Sequence, residues 1–87
     1  MNKNQYVFTT RFVMYANSEI IRVIHEKDGS WQFLGKEENL KESDAVVISL
    51  GEMMDFDKTL NIVESLPRGK QALRTCKHSQ WYIYDIN

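Results

Sequence analysis

Cys76 and His78 are the residues whose types could support nucleophilic or metal chemistry, with His25 the only other histidine in the chain. A thiolate–imidazole pair needs the base within hydrogen-bond reach of sulfur and a third group to orient it. Residues two apart diverge on a strand and do not face each other on a helix, so Cys76 and His78 pair poorly. His25 could meet Cys76 only through tertiary folding. Structural zinc takes four ligands at recognisable spacings, and these three side chains have none. The expectation is a partly exposed thiol beside a surface histidine, with no catalytic residue and no metal site.

Glu52, Asp55 and Asp57 gather three carboxylates within six positions. Paired carboxylates can do acid–base work or hold a divalent cation through oxygen. Here the D-x-[DN]-x-[DN]-G framework is missing, and acids at a helix start are favoured by capping and by the helix dipole. Capping is therefore the reading. Gly29, Gly35, Gly51 and Gly69 lie too far apart for a phosphate-cradling loop, so no cofactor is expected.

Charge is segregated along the chain. Between Lys36 and Asp57 stand Glu37, Glu38, Glu42, Asp44, Glu52, Asp55 and Asp57 against Lys36 and Lys41, a balance of −5. Between Arg68 and His78 stand Arg68, Lys70, Arg74 and Lys77 with no acid, a balance of +4. Two readings follow: the stretches attract each other within the fold, or they guide association with a charged partner. On the second, Glu37, Glu38, Glu42, Arg68, Lys70 and Arg74 are the candidate partner-binding residues. The basic stretch also precedes Trp81, Tyr82 and Tyr84, a combination that can hold single-stranded nucleic acid by phosphate contacts and base stacking. Against it, the net charge is −1, no RNP-like motif is present, and strand alternation would turn Trp81 and Ile83 into the core.

Eighty-seven residues, 43% hydrophobic and 26% charged, make one globular domain spanning 1–87. The lone cysteine fits a reducing compartment. Neither a secretory apolar core nor a stretch of about 20 apolar residues is present, so a cytoplasmic protein without a membrane anchor is expected.

The elements that must position these residues follow from periodicity. Residues 5–15 are β-branched and aromatic, and put Tyr6, Phe8, Thr10, Phe12 and Met14 on one strand face. Strands over 19–26 and 30–35 flank Lys27-Asp28-Gly29, the strongest short-range hairpin signal in the chain. Residues 36–44 read as a loop with at most one helical turn. Residues 45–50, a continuous apolar run ended by Gly51, read as a strand buried on both faces. Asp55 or Asp57 would cap a helix to about Leu66, with Leu60, Val63 and Leu66 on one stripe and Pro67 stopping it. Residues 70–78 fit a helical turn or irregular chain, and 80–86 a last aromatic strand. The fold class is α+β: a four- or five-stranded antiparallel or mixed sheet with one main helix packed on one face.

The hairpin Asp28-Gly29-Ser30-Trp31-Gln32-Phe33-Leu34, with Phe8-Thr9-Thr10, Val46-Val47-Ile48-Ser49-Leu50-Gly51-Glu52 and Leu66-Pro67-Arg68-Gly69, resembles a group of small bacterial proteins of unknown function. That group is similar to families that include proposed immunity proteins, which bind and silence a toxin. The resemblance implies no catalytic residues. Trp31 and Phe33 share a strand face and are expected in the core.

The functional expectation is a non-catalytic module that binds another protein, of immunity or regulatory type. The alternative is a small-ligand or nucleic-acid binder using the basic and aromatic segment 68–84. A homodimer through an exposed sheet edge is compatible with either.

Overall fold

The computed structural model describes residues 2–86. Strands β1 (Tyr6–Thr10), β2 (Arg22–His25), β3 (Trp31–Leu34), β4 (Ala45–Ser49), β5 (Lys70–Leu73) and β6 (Tyr82–Asp85) form one sheet in the order β4-β1-β3-β2-β5-β6. Only β1 and β3 run parallel, with Phe8 beside Gln32, and every other neighbour is antiparallel. Helices α1 (Arg11–Tyr15) and α2 (Leu50–Phe56) and the 3-10 turns Glu42–Asp44 and Asn61–Glu64 complete the chain. The class is α+β with a mixed sheet and one main helix, as expected, and the sheet has six strands rather than four or five.

Side chains on one sheet face build the core. Val7, Val23, Trp31, Phe33 and Ala72 pack with Val13 of α1, Leu50 and Met53 of α2, and Leu60, Val63 and Leu66 around the second 3-10 turn. Trp31 and Phe33 are core residues, as their shared strand face predicts. The buried Thr9 Oγ1 donates to the Phe33 carbonyl at 2.7 Å, stitching β1 to β3 on this side.

The hairpin forms where Asp-Gly marks it. Val23 faces Phe33 and His25 faces Trp31, the Glu26 amide donates to the Ser30 carbonyl at 2.9 Å, and Gly29 takes φ +94°. A side chain is strained at that angle, which is why glycine closes the turn. Asp28 Oδ1 accepts from both the Ser30 amide and its hydroxyl, at 2.9 and 2.7 Å.

Four expectations are corrected. The first strand ends at Thr10 rather than running to 15, because the Thr10 hydroxyl accepts from the Val13 amide at 3.2 Å and starts α1. Residues 45–49 form a strand, but β4 is a sheet edge and none of its residues is buried. The main helix begins at Leu50, capped by Ser49 and Glu52, and ends at Phe56; Leu60, Val63 and Leu66 still enter the core, Val63 from a 3-10 turn and the two leucines from the chain on either side of it. Residues 70–73, within a segment expected as a helical turn or irregular chain, form β5, which carries the sheet from β2 out to β6. Residues 36–44 are a loop with one 3-10 turn, as expected.

Candidate functional site

Every helix and 3-10 turn that enters the core packs against one sheet face, and the opposite face is left open. The pairing registers place a continuous row across it, Val47–Phe8–Gln32–Ile24–Gln71–Tyr84, one residue from each strand. Alternation adds Tyr6 on β1, Leu34 on β3, Arg22 on β2, Leu73 on β5 and Tyr82 on β6. Tyr6 is 73% exposed, Phe8 47% and Tyr82 57%. Of the strand residues on this face Arg22 alone is charged. Just past β2, Glu26 accepts from the Gln32 side chain at 2.8 Å. Tyr6, Phe8, Val47, Tyr82 and Tyr84 are the exposed large side chains of this face.

The loop 36–41 stands at one end of this face. Leu40 and Leu34 line a depression of about 340 Å³ with Phe8, Gln32 and Ala45. On its other flank Glu37, Glu38 and Leu40 line a second hollow with Arg22, Leu34 and Leu73. The Glu37 carboxylate accepts from the Ser18 hydroxyl at 2.8 Å, while Glu38 and Glu42 are exposed. The three candidate acids therefore sit on or next to the rim of the open face.

The candidate bases do not form a matching patch. Arg74 is buried: it donates to the Ile20 carbonyl at 2.8 Å, to Thr59 Oγ1 at 2.9 Å and to Asp57 Oδ2 at 3.3 Å, with the Trp81 ring 4.2 Å away. Burial pulls its guanidinium pKa below the usual value, with Asp57 acting against that pull. Lys77 Nζ approaches the same Asp57 at 4.0 Å, so the acidic and basic stretches do meet inside the fold. Lys70 pairs with Asp85, and Arg68 is exposed beside the hairpin turn, its guanidinium next to Gly29.

Lys70 lies opposite His25 on the helix side of the sheet, and Arg74 is likewise buried on that side, whereas Tyr82 and Tyr84 project to the open side. The pleat thus splits these bases from Tyr82 and Tyr84, while Trp81 stays on their side and packs against Arg74. Trp81 packs partly against the core, but Ile83, expected inside, is 47% exposed because the helix layer does not extend over β6.

His25 stacks on Trp31 with ring centroids 3.7 Å apart, and its Nδ1 lies 2.8 Å from the Leu66 carbonyl oxygen. Cys76 is exposed in a turn closed by Ser79, whose hydroxyl accepts from the Cys76 amide at 3.0 Å. Among the described residues no three His, Cys, Asp or Glu side chains converge as metal ligands. Glu52 and Asp57 serve local structure: Glu52 closes the α2 cap, and Asp57 accepts from the Thr59 amide and hydroxyl at 2.8 and 2.6 Å. No helix among the described residues is long and apolar enough to cross a membrane.

The open face itself escaped sequence reading, because it depends on strand order. The signal that pointed to it was the alternation Tyr6-Val7-Phe8-Thr9, with two large aromatics on one strand face and Val7 and Thr9 on the other. Comparison with family models, curated proteins and solved structures gives no match.

Proposed function

We propose that this chain is a non-catalytic module that binds another protein, of regulatory or immunity type, through the open face of its sheet. The observation that carries the reading is the row Val47–Phe8–Gln32–Ile24–Gln71–Tyr84, flanked by Tyr6 and Tyr82, with Arg22 its only strand-borne charge. The centre of a protein interface is depleted in charge and rich in aromatic residues, and this face has that composition. Its rim at loop 36–41 and the following turn carries Glu37, Glu38 and Glu42 against Lys36 and Lys41. The partner it fits has an apolar centre and a basic rim. Nucleic acid is the poorer occupant, since phosphate contacts need several cations beside the stacking aromatics and the strands of this face supply Arg22 alone.

The test is affinity capture on the folded protein, with nuclease, comparing wild type with Tyr6→Ser/Phe8→Ser and with a variant carrying Glu37, Glu38 and Glu42 reversed to Lys. One protein recovered stoichiometrically by wild type and lost with the first variant supports the reading. Reduced recovery with the second identifies the acidic rim as the electrostatic guide. Equal recovery by all three, or recovery of nucleic acid in place of protein, overturns it.

A further inference from the structure

The two edges of the sheet are treated differently. On the β4 side the Leu50 amide donates to the Gln5 carbonyl, which sets the phase: Val46 and Ile48 bond inward to β1, while Ala45, Val47 and Ser49 point outward. Two of those three outward amides are already used, Ala45 by the Glu42 carbonyl and Ser49 by the Glu52 carboxylate at 3.1 Å. That edge is blunted at both ends.

The β6 edge is not. The Ile86 amide donates to the Gly69 carbonyl, so Tyr84 and Tyr82 bond inward to Gln71 and Leu73, and Ile83 and Asp85 direct their backbone groups outward. The Ile83 amide and carbonyl and the Asp85 amide have no hydrogen-bond partner among the described residues. Natural edges are protected by charged side chains, a proline, a bulge or a covering loop, and of these Tyr82–Asp85 has only Asp85, which is matched by Lys70. All four of its residues are exposed, Ile83 among them.

We propose that β6 pairs antiparallel with β6 of a second copy of this chain, with Ile83 on the two-fold axis. In that register the two Ile83 residues exchange both of their outward hydrogen bonds. Tyr82 of each copy then lies across from Tyr84 of the other on the open face, in the closer, non-hydrogen-bonded type of pair where aromatic side chains interact best. Electrostatics do not oppose the seam: Asp85 is the only charge in β6, it is matched by Lys70, and the two Asp85 residues do not face each other. An extended strand that pairs with its own copy closes after two molecules, as an isologous contact must. Four-residue strands bury less than the roughly 800 Å² per partner of a standard interface, so the dimer is reversible and concentration-dependent. It joins two open faces into one continuous surface, and it holds whatever that face binds.

Sedimentation velocity across a concentration series, under reducing conditions that exclude a Cys76 disulfide, reads the equilibrium. Wild type should move from the 10.3 kDa monomer toward twice that mass. Ile83→Pro deletes only an outward-facing amide, and Ile83→Lys puts two like charges on the axis; both should stay monomeric while keeping the wild-type circular dichroism. Amide exchange on the wild type needs no variant: Ile83 and Asp85 should become protected as concentration rises, with Tyr82 and Tyr84 protected throughout. A wild type that stays monomeric, a dimer that survives Ile83→Lys, or exchange at Ile83 that ignores concentration would each overturn the proposal.

Discussion

Arg74 carries its charge into a place that water does not reach, and three oxygen acceptors and an indole ring replace the hydration it gives up. Desolvation of a cation is repaid only while the anion stays in place, so the two halves of this pair are unequal. Asp57→Ala leaves a buried guanidinium with two neutral oxygen acceptors, and it should cost about 3–5 kcal/mol in urea unfolding. Arg74→Met leaves a carboxylate that still accepts from the Thr59 amide and hydroxyl and has Lys77 nearby, so its cost should be the smaller. Reversal of that order would show that Arg74 is held mainly by its neutral contacts. Asp44 gives a pH test at the same scale. The Lys41 amide, and then the Arg11 side chain at 2.8 Å, hold its carboxyl pKa below the ordinary value of 3.8. Asp28 and Asp85 are lowered likewise, by Ser30 and by Lys70. A carboxyl whose folded pKa is depressed contributes stability above its unfolded pKa and loses it as pH falls through the folded one. The urea midpoint should therefore be flat from pH 7 to about 5 and fall below about 4, and the gap between wild type and Asp44→Asn should close over that lower range.

Helix α2 has seven residues, too few to stand without its ends satisfied. The Ser49 hydroxyl accepts from the Glu52 amide at 3.1 Å, and the Glu52 carboxylate accepts from the Ser49 amide at 3.1 Å, a reciprocal capping box. Ser49→Ala should lower stability by about 1 kcal/mol, seen as a lower urea midpoint with an unchanged slope. No change would mean that Leu50 and Met53, both fully buried, hold the helix by packing alone. The signal for this helix was present in the chain as Ser49-Leu50-Gly51-Glu52. The apolar run 45–50 obscured it, since Ala-Val-Val-Ile-Ser-Leu reads as one strand although its last two residues already belong to the cap and first turn of the helix. Thr10 is a similar case: β-branched and aromatic composition continues through Tyr15, yet one hydroxyl turns the chain into α1. Where a local signal had no competitor, as at Asp28-Gly29, the sequence placed the hairpin correctly. The β1–β3 parallel pair and the outward position of β6 have no local signature, because they are fixed by which strands share the core.

At the scale of the whole molecule, the sheet separates the face that builds the core from the face left open to solvent. One face buries Val7, Val23, Phe33 and Ala72 completely, and the other exposes Tyr6, Phe8, Val47, Tyr82 and Tyr84. The acids at the rim were legible as a charged stretch, while the face they border was not, because side-chain alternation becomes a surface only when six strands are in order. This separation predicts that stability and recognition can be altered independently. Phe33→Ala removes a fully buried ring from the middle of the core and should cost about 3–5 kcal/mol. In a domain whose total stability is of order 5–15 kcal/mol, that is a large share of the whole. Tyr6→Ser removes a ring that already faces water, and it should change stability by no more than about 0.5 kcal/mol. Thermal unfolding of the two variants beside wild type measures the first property, and recovery of the partner measures the second. Tyr6→Ser should melt like wild type and bind less, with the loss larger when Phe8→Ser is added. A Tyr6→Ser protein that melts early would place the aromatic row among the supports of the fold, and the open face would then be a stabilised surface rather than a recognition site.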